Sequence, residues 1–234
     1  MEKMSSFDLN QLFLENVTLA QNSMDSNIQP ILHNVDFLIP MDQTIVIESS
    51  NPMHSVQFLQ MLAGFKPCNS GKVLWNGQDV FSDEHEVDPR EVMGVYFEGH
   101  FHSSEITIKN FLLSFLDSQK IQEVCEMFEL TPYLNNQFTK SNYGMRKLLT
   151  LIQVASKDPQ ILILEDPAQG LSEQQWLNFL DYIQLLQRKG SVRHIFMTNH
   201  HLTALNHIEH NKLFIEDGLI YFDESVPAKK VAHF

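Results

Sequence analysis

Long apolar runs are missing from this chain of 234 residues. No stretch approaches the roughly 20 consecutive apolar residues that cross a bilayer as a helix, and residues 1–11, MEKMSSFDLNQ, lack the apolar core of a secretory signal. We therefore expect no direct membrane insertion. With 43% hydrophobic residues, the chain still has enough apolar side chains to bury a full core in one domain.

Cysteine and positive charge are also scarce. Cys68 and Cys125 lie far apart without a CxxC pattern, which excludes a disulfide scaffold and fits a reducing compartment. We therefore expect a cytoplasmic protein. The formal net charge of -13 argues against nucleic-acid partners, because proteins that track phosphates need Lys and Arg. It also disfavours docking on an anionic lipid surface, so a link to a membrane is expected to run through a protein partner.

Apolar periodicity predicts strands and helices in alternation. The predicted strands are residues 12–19, 31–39, 44–47, a short pair around Asn76-Gly77, 92–97, 161–164, 195–198 and a pair around Asp217-Gly218. A loop is predicted at residues 49–53. The predicted helices are one that stops at Gly64, then 108–116, 121–128, 146–156 and 173–188. This alternation predicts an α/β fold with a parallel sheet covered by helices.

Two carboxylates, Glu165 and Asp166, follow the predicted strand at residues 161–164. A buried strand that brings two acids to the rim of a sheet is typical of folds that hydrolyse nucleotides, because such acids hold Mg²⁺ and orient water. The alternative interpretation is a pair of solvated carboxylates at the end of a core strand.

Five landmarks follow one another along most of the chain. They are Leu62-Ala63-Gly64, GKVLWNG at residues 71–77, Tyr143-Gly144-Met145-Arg146, Asp158-Pro159 before ILILEDPAQGL, and Thr198-Asn199-His200. In this order and at this spacing they resemble the ATP-binding cassette (ABC) family, the nucleotide-binding subunits of ABC transporters. The resemblance implies a single nucleotide-binding domain over residues 1–234. It has a P-loop NTPase-like α/β core, an antiparallel β subdomain and a short helical subdomain at about residues 105–157.

The resemblance places the phosphate loop, with the family form G-x-x-G-x-G-K-[ST]-[ST], on residues 49–57. The cofactor-binding candidates in it are Ser49, Asn51, His54, Ser55, Val56 and Gln57. None of the three glycines, which let backbone N–H groups curl round phosphates, is present. Ser55 stands at the position of the lysine, and Val56 at that of the hydroxyl that meets Mg²⁺.

Two further interpretations of the loop stay open. A slip of one residue puts His54 at the lysine position, although a neutral imidazole replaces an ammonium group poorly near pH 7. Alternatively, the segment is only a helix start, with Ser50 or Asn51 as its cap and Pro52 in its first turn.

The remaining motif positions also differ from the family pattern. At the catalytic positions Glu165 and Asp166 reverse the family's Asp-Glu order, which puts the shorter side chain where the base is expected. Glu98 takes the lid position, where the family has a glutamine that joins Mg²⁺, and His200 takes the position of the switch histidine. The alternative for His200 is a histidine that only hydrogen-bonds its neighbours. The signature candidates, which in the family close on ATP held by a second cassette, are Asn142, Tyr143, Gly144 and Met145.

Histidines near the C-terminal end of the chain do not predict a metal site. Their spacing fits no common zinc pattern, and no cysteine lies nearby in the sequence. The histidines concerned are His200, His201, His207 and His210.

The resemblance implies a subunit that works with an integral membrane permease and a second cassette, as a homodimer or a heterodimer. We expect an ABC cassette with weak or no ATP hydrolysis that acts as a structural and coupling partner on the inner face of the membrane. ATP and Mg²⁺ are the implied cofactors, and the altered loop argues against tight binding of either. Two alternatives stay open: an active ATPase with displaced residues, and a soluble adaptor outside transport.

Overall fold

The computed structural model describes residues 11–20, 30–84, 88–99, 105–198 and 202–223. It divides the chain into two compact units. The first comprises residues 1–91, 196–198 and 209–234, and the second comprises residues 92–195 and 199–208. The described part contains ten strands and five α-helices, and none of these helices is long and apolar enough to cross a membrane.

The first unit holds an antiparallel sheet. Its strands are β1 (Leu12–Leu19), β2 (Leu32–Ile39), β4 (Ser70–Trp75) and β5 (Gln78–Asp79), in the order β2-β1-β4-β5. The turn between β4 and β5 is made by Asn76 and Gly77, which both have positive φ. Two successive positive φ values match the twist of a two-residue hairpin, so the hairpin predicted at this dipeptide is confirmed.

The first unit also holds parallel strands. Strand β3 (Thr44–Ser49) pairs in parallel with β9 (Asn211–Glu216), with Ile45 opposite Asn211, and β10 (Leu219–Phe222) is antiparallel to β9. Residues Phe196–Thr198 of β8 (His194–Thr198) lie on the other side of β3. Helix α1 (Pro52–Leu62) follows β3 after two residues. The phosphate-loop positions therefore lie where a strand passes into a helix.

The second unit brings two strand ends together. Strand β6 (Met93–Tyr96) pairs in parallel with β7 (Ile161–Leu164), and Tyr96 lies opposite Leu164. Because parallel strands end at the same edge of a sheet, Glu98 and Glu165 emerge side by side. The helices of this unit are α2 (Ile108–Leu113), α3 (Ser118–Met127), α4 (Tyr143–Ala155) and α5 (Glu173–Arg188).

The predicted α/β fold class is confirmed, and some predicted boundaries are wrong. Helix α1 begins inside the loop predicted at residues 49–53, because Asn51 caps it. Helix α4 begins at Tyr143 rather than at residue 146, because the Asn142 side chain accepts a hydrogen bond from the Met145 N–H. Helix α2 ends at Leu113 instead of residue 116, and α3 begins at Ser118 instead of residue 121. The single-domain organisation and the helical subdomain stay predictions.

Candidate functional site

The phosphate-loop positions form a capped helix start. The Asn51 side chain accepts a hydrogen bond of 3.1 Å from the Met53 N–H, and the His54 N–H donates to the Asn51 carbonyl at 2.9 Å. The Asn51 N–H itself donates to Ser49 Oγ at 3.4 Å, and Pro52 has no N–H to donate. The backbone donors over residues 51–54 are thus used within the chain, and no residue from 49 to 57 has positive φ.

The side chains of this segment offer no positive charge. Ser55, at the lysine position, is only 3% exposed, and Val56 is also buried. His54 contacts the Asn51 side chain at 3.2 Å, and burial lowers the pKa of its imidazole. A lowered pKa keeps the ring neutral at pH 7, so His54 does not replace an ammonium group there.

A lysine from elsewhere in the first unit is held next to Gln57. Lys66 Nζ donates to Gln57 Oε1 and, at 3.2 Å, to the Ala20 carbonyl. Burial lowers the pKa of Lys66. The Lys66 side chain thus bridges Gln57, the last phosphate-loop position, and Ala20, the residue that follows β1.

Glu48, the residue before the loop, belongs to an ion pair. Its Oε1 lies 2.8 Å from Lys212 Nζ, and both side chains keep about a quarter to a third of their surface exposed. The pair is thus partly exposed, although the Glu48 Oε1 atom itself is buried.

In the second unit, the Glu98 carboxylate is the centre of a hydrogen-bonded cluster. It accepts bonds from the Tyr96 hydroxyl, at 3.1 and 3.3 Å to its two oxygens, and from the Tyr143 hydroxyl. Its Oε2 also lies 2.9 Å from Lys147 Nζ. Burial, together with the neighbouring Glu98 carboxylate, raises the pKa of Tyr96 and of Tyr143. Both hydroxyls therefore stay protonated and remain donors.

Lys147 projects from α4 into this cluster and is fully buried. Besides Glu98, its ammonium group donates to the Asp166 carbonyl at 2.7 Å. The ammonium also lies 5.4 Å from the centroid of the Tyr96 ring and 5.8 Å from that of Tyr143. Aromatic faces at this distance attract a cation. A charge-assisted bond, a carbonyl and two rings thus compensate the buried charge.

The two acids after β7 are held by backbone contacts. Glu165 Oε2 accepts the Glu98 N–H at 2.9 Å, and the Glu165 N–H donates to the Tyr96 carbonyl at 2.9 Å. Asp166 is buried and has φ of +40°, a left-handed conformation that asparagine and aspartate tolerate better than most residues. The Asp166 carbonyl that accepts from Lys147 therefore belongs to a residue with a left-handed backbone conformation.

The signature positions pack against the turn that follows β7. Gly170 has φ of +75°, and a Cβ built on it would lie 2.3 Å from Tyr143 Cε1. A Cβ on Gly144 would lie 2.4 Å from the Gly170 carbonyl oxygen. Asn142 caps α4, and Met145 supplies the capped N–H. The signature positions Tyr143 and Gly144 therefore pack against Gly170 of the same chain.

The structure brings four of the predicted site residues together within the second unit. Glu98, Glu165, Asp166 and Tyr143 meet in one cluster of the second unit, while the phosphate-loop candidates belong to the first unit. His200 lies outside the described residues. The roles of all these residues stay predictions. Among the described residues, no group of three or more His, Cys, Asp or Glu side chains could hold a metal ion.

Sequence reasoning missed Lys147 and the contacts of Tyr96. One signal for Lys147 was available. Lys147, Leu151 and Ala155 are spaced by four residues and share the buried side of α4. A lysine on the apolar side of a predicted helix indicates a buried partner of opposite charge.

Known proteins share this fold. A structure described as the ATP-binding subunit of an ABC transporter superposes with a TM-score of 0.71 at 14% identity, over 92% of this chain and 91% of its own. A dimeric bacterial ABC transporter cassette has a TM-score of 0.70 at 17% identity, over 88% of this chain and 95% of its own. The fold is thus that of an ATP-binding cassette.

The sequence is also similar to named relatives. It is 25% identical to ABC transporter I family member 1 of Arabidopsis thaliana, over 76% of this chain and 77% of the relative. It is 23% identical to an ABC transporter ATP-binding protein of Bacillus cereus, over 86% of this chain but only 37% of that relative's length. The ABC transporter family model matches residues 32–169, more than half of the chain. The chain belongs to the ABC transporter family.

Proposed function

We propose that this chain is the cassette subunit of a membrane transporter and neither binds ATP tightly nor hydrolyses it. The observation that carries the proposal is the segment at residues 49–57. Its backbone donors cap α1, its serine at the lysine position is buried, and its histidine is neutral. A triphosphate has no cradle of N–H groups and no ammonium group to bind in this segment.

The magnitudes support a loss of turnover. A hydrogen bond to a charged group contributes about 1.5 to 3 kcal/mol, and several such bonds are missing together. A single arginine that stabilises the transition state of phosphoryl transfer accelerates the reaction by about 10³ to 10⁵. Losing the ammonium group of the loop therefore lowers the rate by orders of magnitude.

The subunit acts on the cytoplasmic face of the membrane as a structural and coupling partner of an integral permease and a second cassette. Two similarities support this assembly. One relative is a zinc import ATP-binding protein of Wolbachia, 24% identical over 87% of this chain and 79% of the relative. A bacterial ABC exporter with ATP bound has the same fold, with a TM-score of 0.69. In a heterodimer, the second cassette supplies the intact phosphate loop.

ATP hydrolysis by the purified chain is expected to stay at the level of a buffer blank. Phosphate release in the presence of Mg²⁺ measures it, and Asp166→Asn is expected to give the same value. A rate well above the blank that Asp166→Asn abolishes contradicts the proposal.

The chain is expected to be recovered together with an integral membrane protein and a second cassette when it is purified from native membranes in mild detergent. Mass spectrometry of the purified complex identifies both partners. Recovery of the chain in the soluble fraction, without any membrane protein after crosslinking, contradicts the transporter assignment and favours an adaptor outside transport.

A further inference from the structure

We infer that the ammonium group of Lys147 takes the place of Mg²⁺ at the ends of β6 and β7, so that this chain carries an internal cation instead of a metal site. The inference deepens the proposed function and rests on it. Three elements of the second unit meet at this place: the residue after Phe97, helix α4, and the turn after β7. Each of them contributes one residue, and Lys147 contacts the other two, Glu98 and Asp166.

The oxygen atoms present do not fit Mg²⁺ as they stand. Mg²⁺ requires near-octahedral oxygen ligands at about 2.0 to 2.1 Å. A carboxylate has about four acceptor positions, and three donors already contact that of Glu98: the Tyr96 hydroxyl, the Tyr143 hydroxyl and Lys147. The Asp166 carbonyl accepts from Lys147 and also from the Gln169 N–H at 3.1 Å. A metal ion therefore competes with Lys147 for the same oxygen atoms.

Displacing Lys147 is unfavourable because its side chain is fully buried. A buried ammonium group without a partner is costly, and a divalent cation beside it adds repulsion. The rings of Tyr96 and Tyr143 attract the ammonium group at their faces and so hold it in place. The cluster thus suits Lys147 and excludes Mg²⁺.

Removing the ammonium group tests this assignment. Lys147→Met keeps most of the length of the side chain and removes the contacts of the lysine with Glu98 Oε2 and the Asp166 carbonyl, which have Glu165 next to them. Free Mn²⁺, followed by its EPR signal during titration without nucleotide, is the probe. We expect no saturable binding to the wild-type chain. For Lys147→Met we expect saturable binding with a Kd at least about ten-fold below the highest Mn²⁺ concentration tested, equivalent to about 1.4 kcal/mol.

Lys212→Met is the matched control, because it removes the same charge from an ion pair that has a single carboxylate. It is expected to bind no Mn²⁺, and adding Glu98→Gln to Lys147→Met is expected to abolish the new site. Wild-type binding as tight as that of Lys147→Met overturns the inference. So does absence of binding in Lys147→Met when its circular dichroism matches the wild type.

The wild-type titration needs no variant, so it decides the question even where Lys147→Met does not fold. The measurement also contains no ATP, which separates the two proposals. ATP hydrolysis by a chain that binds no Mn²⁺ alone overturns the proposed function and leaves the Lys147 assignment standing. Mn²⁺ binding by a wild-type chain without ATPase activity overturns the Lys147 assignment and leaves the proposed function standing.

Discussion

Replacing Glu98 by glutamine is expected to lower the free energy of unfolding by about 3 kcal/mol. Removing one partner of a buried ion pair costs about 3 to 5 kcal/mol, because the other charge stays buried without compensation. The Glu98 side chain is 26% exposed while that of Lys147 is 0% exposed. Solvent at Glu98 therefore places the expected loss at the lower end of that range.

Urea unfolding followed by circular dichroism measures this loss, and an unchanged slope with denaturant shows that the folded state is intact. Glu48→Gln is the matched control, since Glu48 and Lys212 form a pair that is 24% and 30% exposed. That substitution is expected to cost less than about 1 kcal/mol. Equal losses for Glu98→Gln and Glu48→Gln contradict the central place of Lys147.

Lys147→Met provides the second arm of a double-mutant cycle. Replacing both members of a buried pair by neutral residues removes the uncompensated charge. The double variant Glu98→Gln with Lys147→Met is therefore expected to be more stable than Glu98→Gln alone. Additive losses indicate that Glu98 stabilises the fold through Tyr96 and Tyr143 and not through Lys147.

Local signals explain why most of the fold could be predicted. Helix α5 has the predicted bounds, Glu173–Arg188, because Ser172 and Gln175 form a capping box before an apolar repeat. The hairpin at Asn76-Gly77 follows from a dipeptide that tolerates positive φ at both positions. Such features involve residues close in sequence, so one amino-acid sequence is enough to reveal them.

Two helices, α3 and α4, begin earlier in the structure than the sequence predicts. Asn142 caps α4, whose first turn contains Gly144, a residue that disfavours a helix and so predicts a later start. Asp117 caps α3, in which three polar residues precede Ile121, the first apolar residue of the helix. Periodicity alone begins a helix at its first apolar position and so sets the start too late. Asn51 and Pro52 carried a recognisable cap and first turn, and the helix start predicted from them as an alternative is confirmed.

The cluster around Glu98 could be predicted only in part. The sequence places Glu98 and Glu165 after two predicted strands, and only the structure shows that these strands, β6 and β7, are paired in parallel. The hydrogen bonds of Glu98 to Tyr143 and Lys147 join residues 45 and 49 positions apart. Their contact depends on how α4 packs beside β6, which no local pattern specifies.

The second large effect is expected at Gly170, where substitution by alanine is predicted to lower the free energy of unfolding by about 3 kcal/mol. Two causes add. A positive φ costs a residue with a Cβ about 1 to 2 kcal/mol, and Gly170 has φ of +75°. Forcing the Tyr143 ring away from a Cβ at 2.3 Å adds an overpacking cost of about 1 to 3 kcal/mol.

A pair of further variants separates these causes by the same unfolding measurement. Gly190→Ala carries only the first cost, since Gly190 has φ of +76° and no atom lies within 4 Å of its built Cβ. In a Tyr143→Ala background, Gly170→Ala is expected to cost no more than Gly190→Ala does in the wild type. If Gly170→Ala costs the same with and without Tyr143, the ring does not rest on Gly170. A ring that does rest there ties the signature segment to its own chain, which is the arrangement expected of a cassette whose signature positions do not close on ATP.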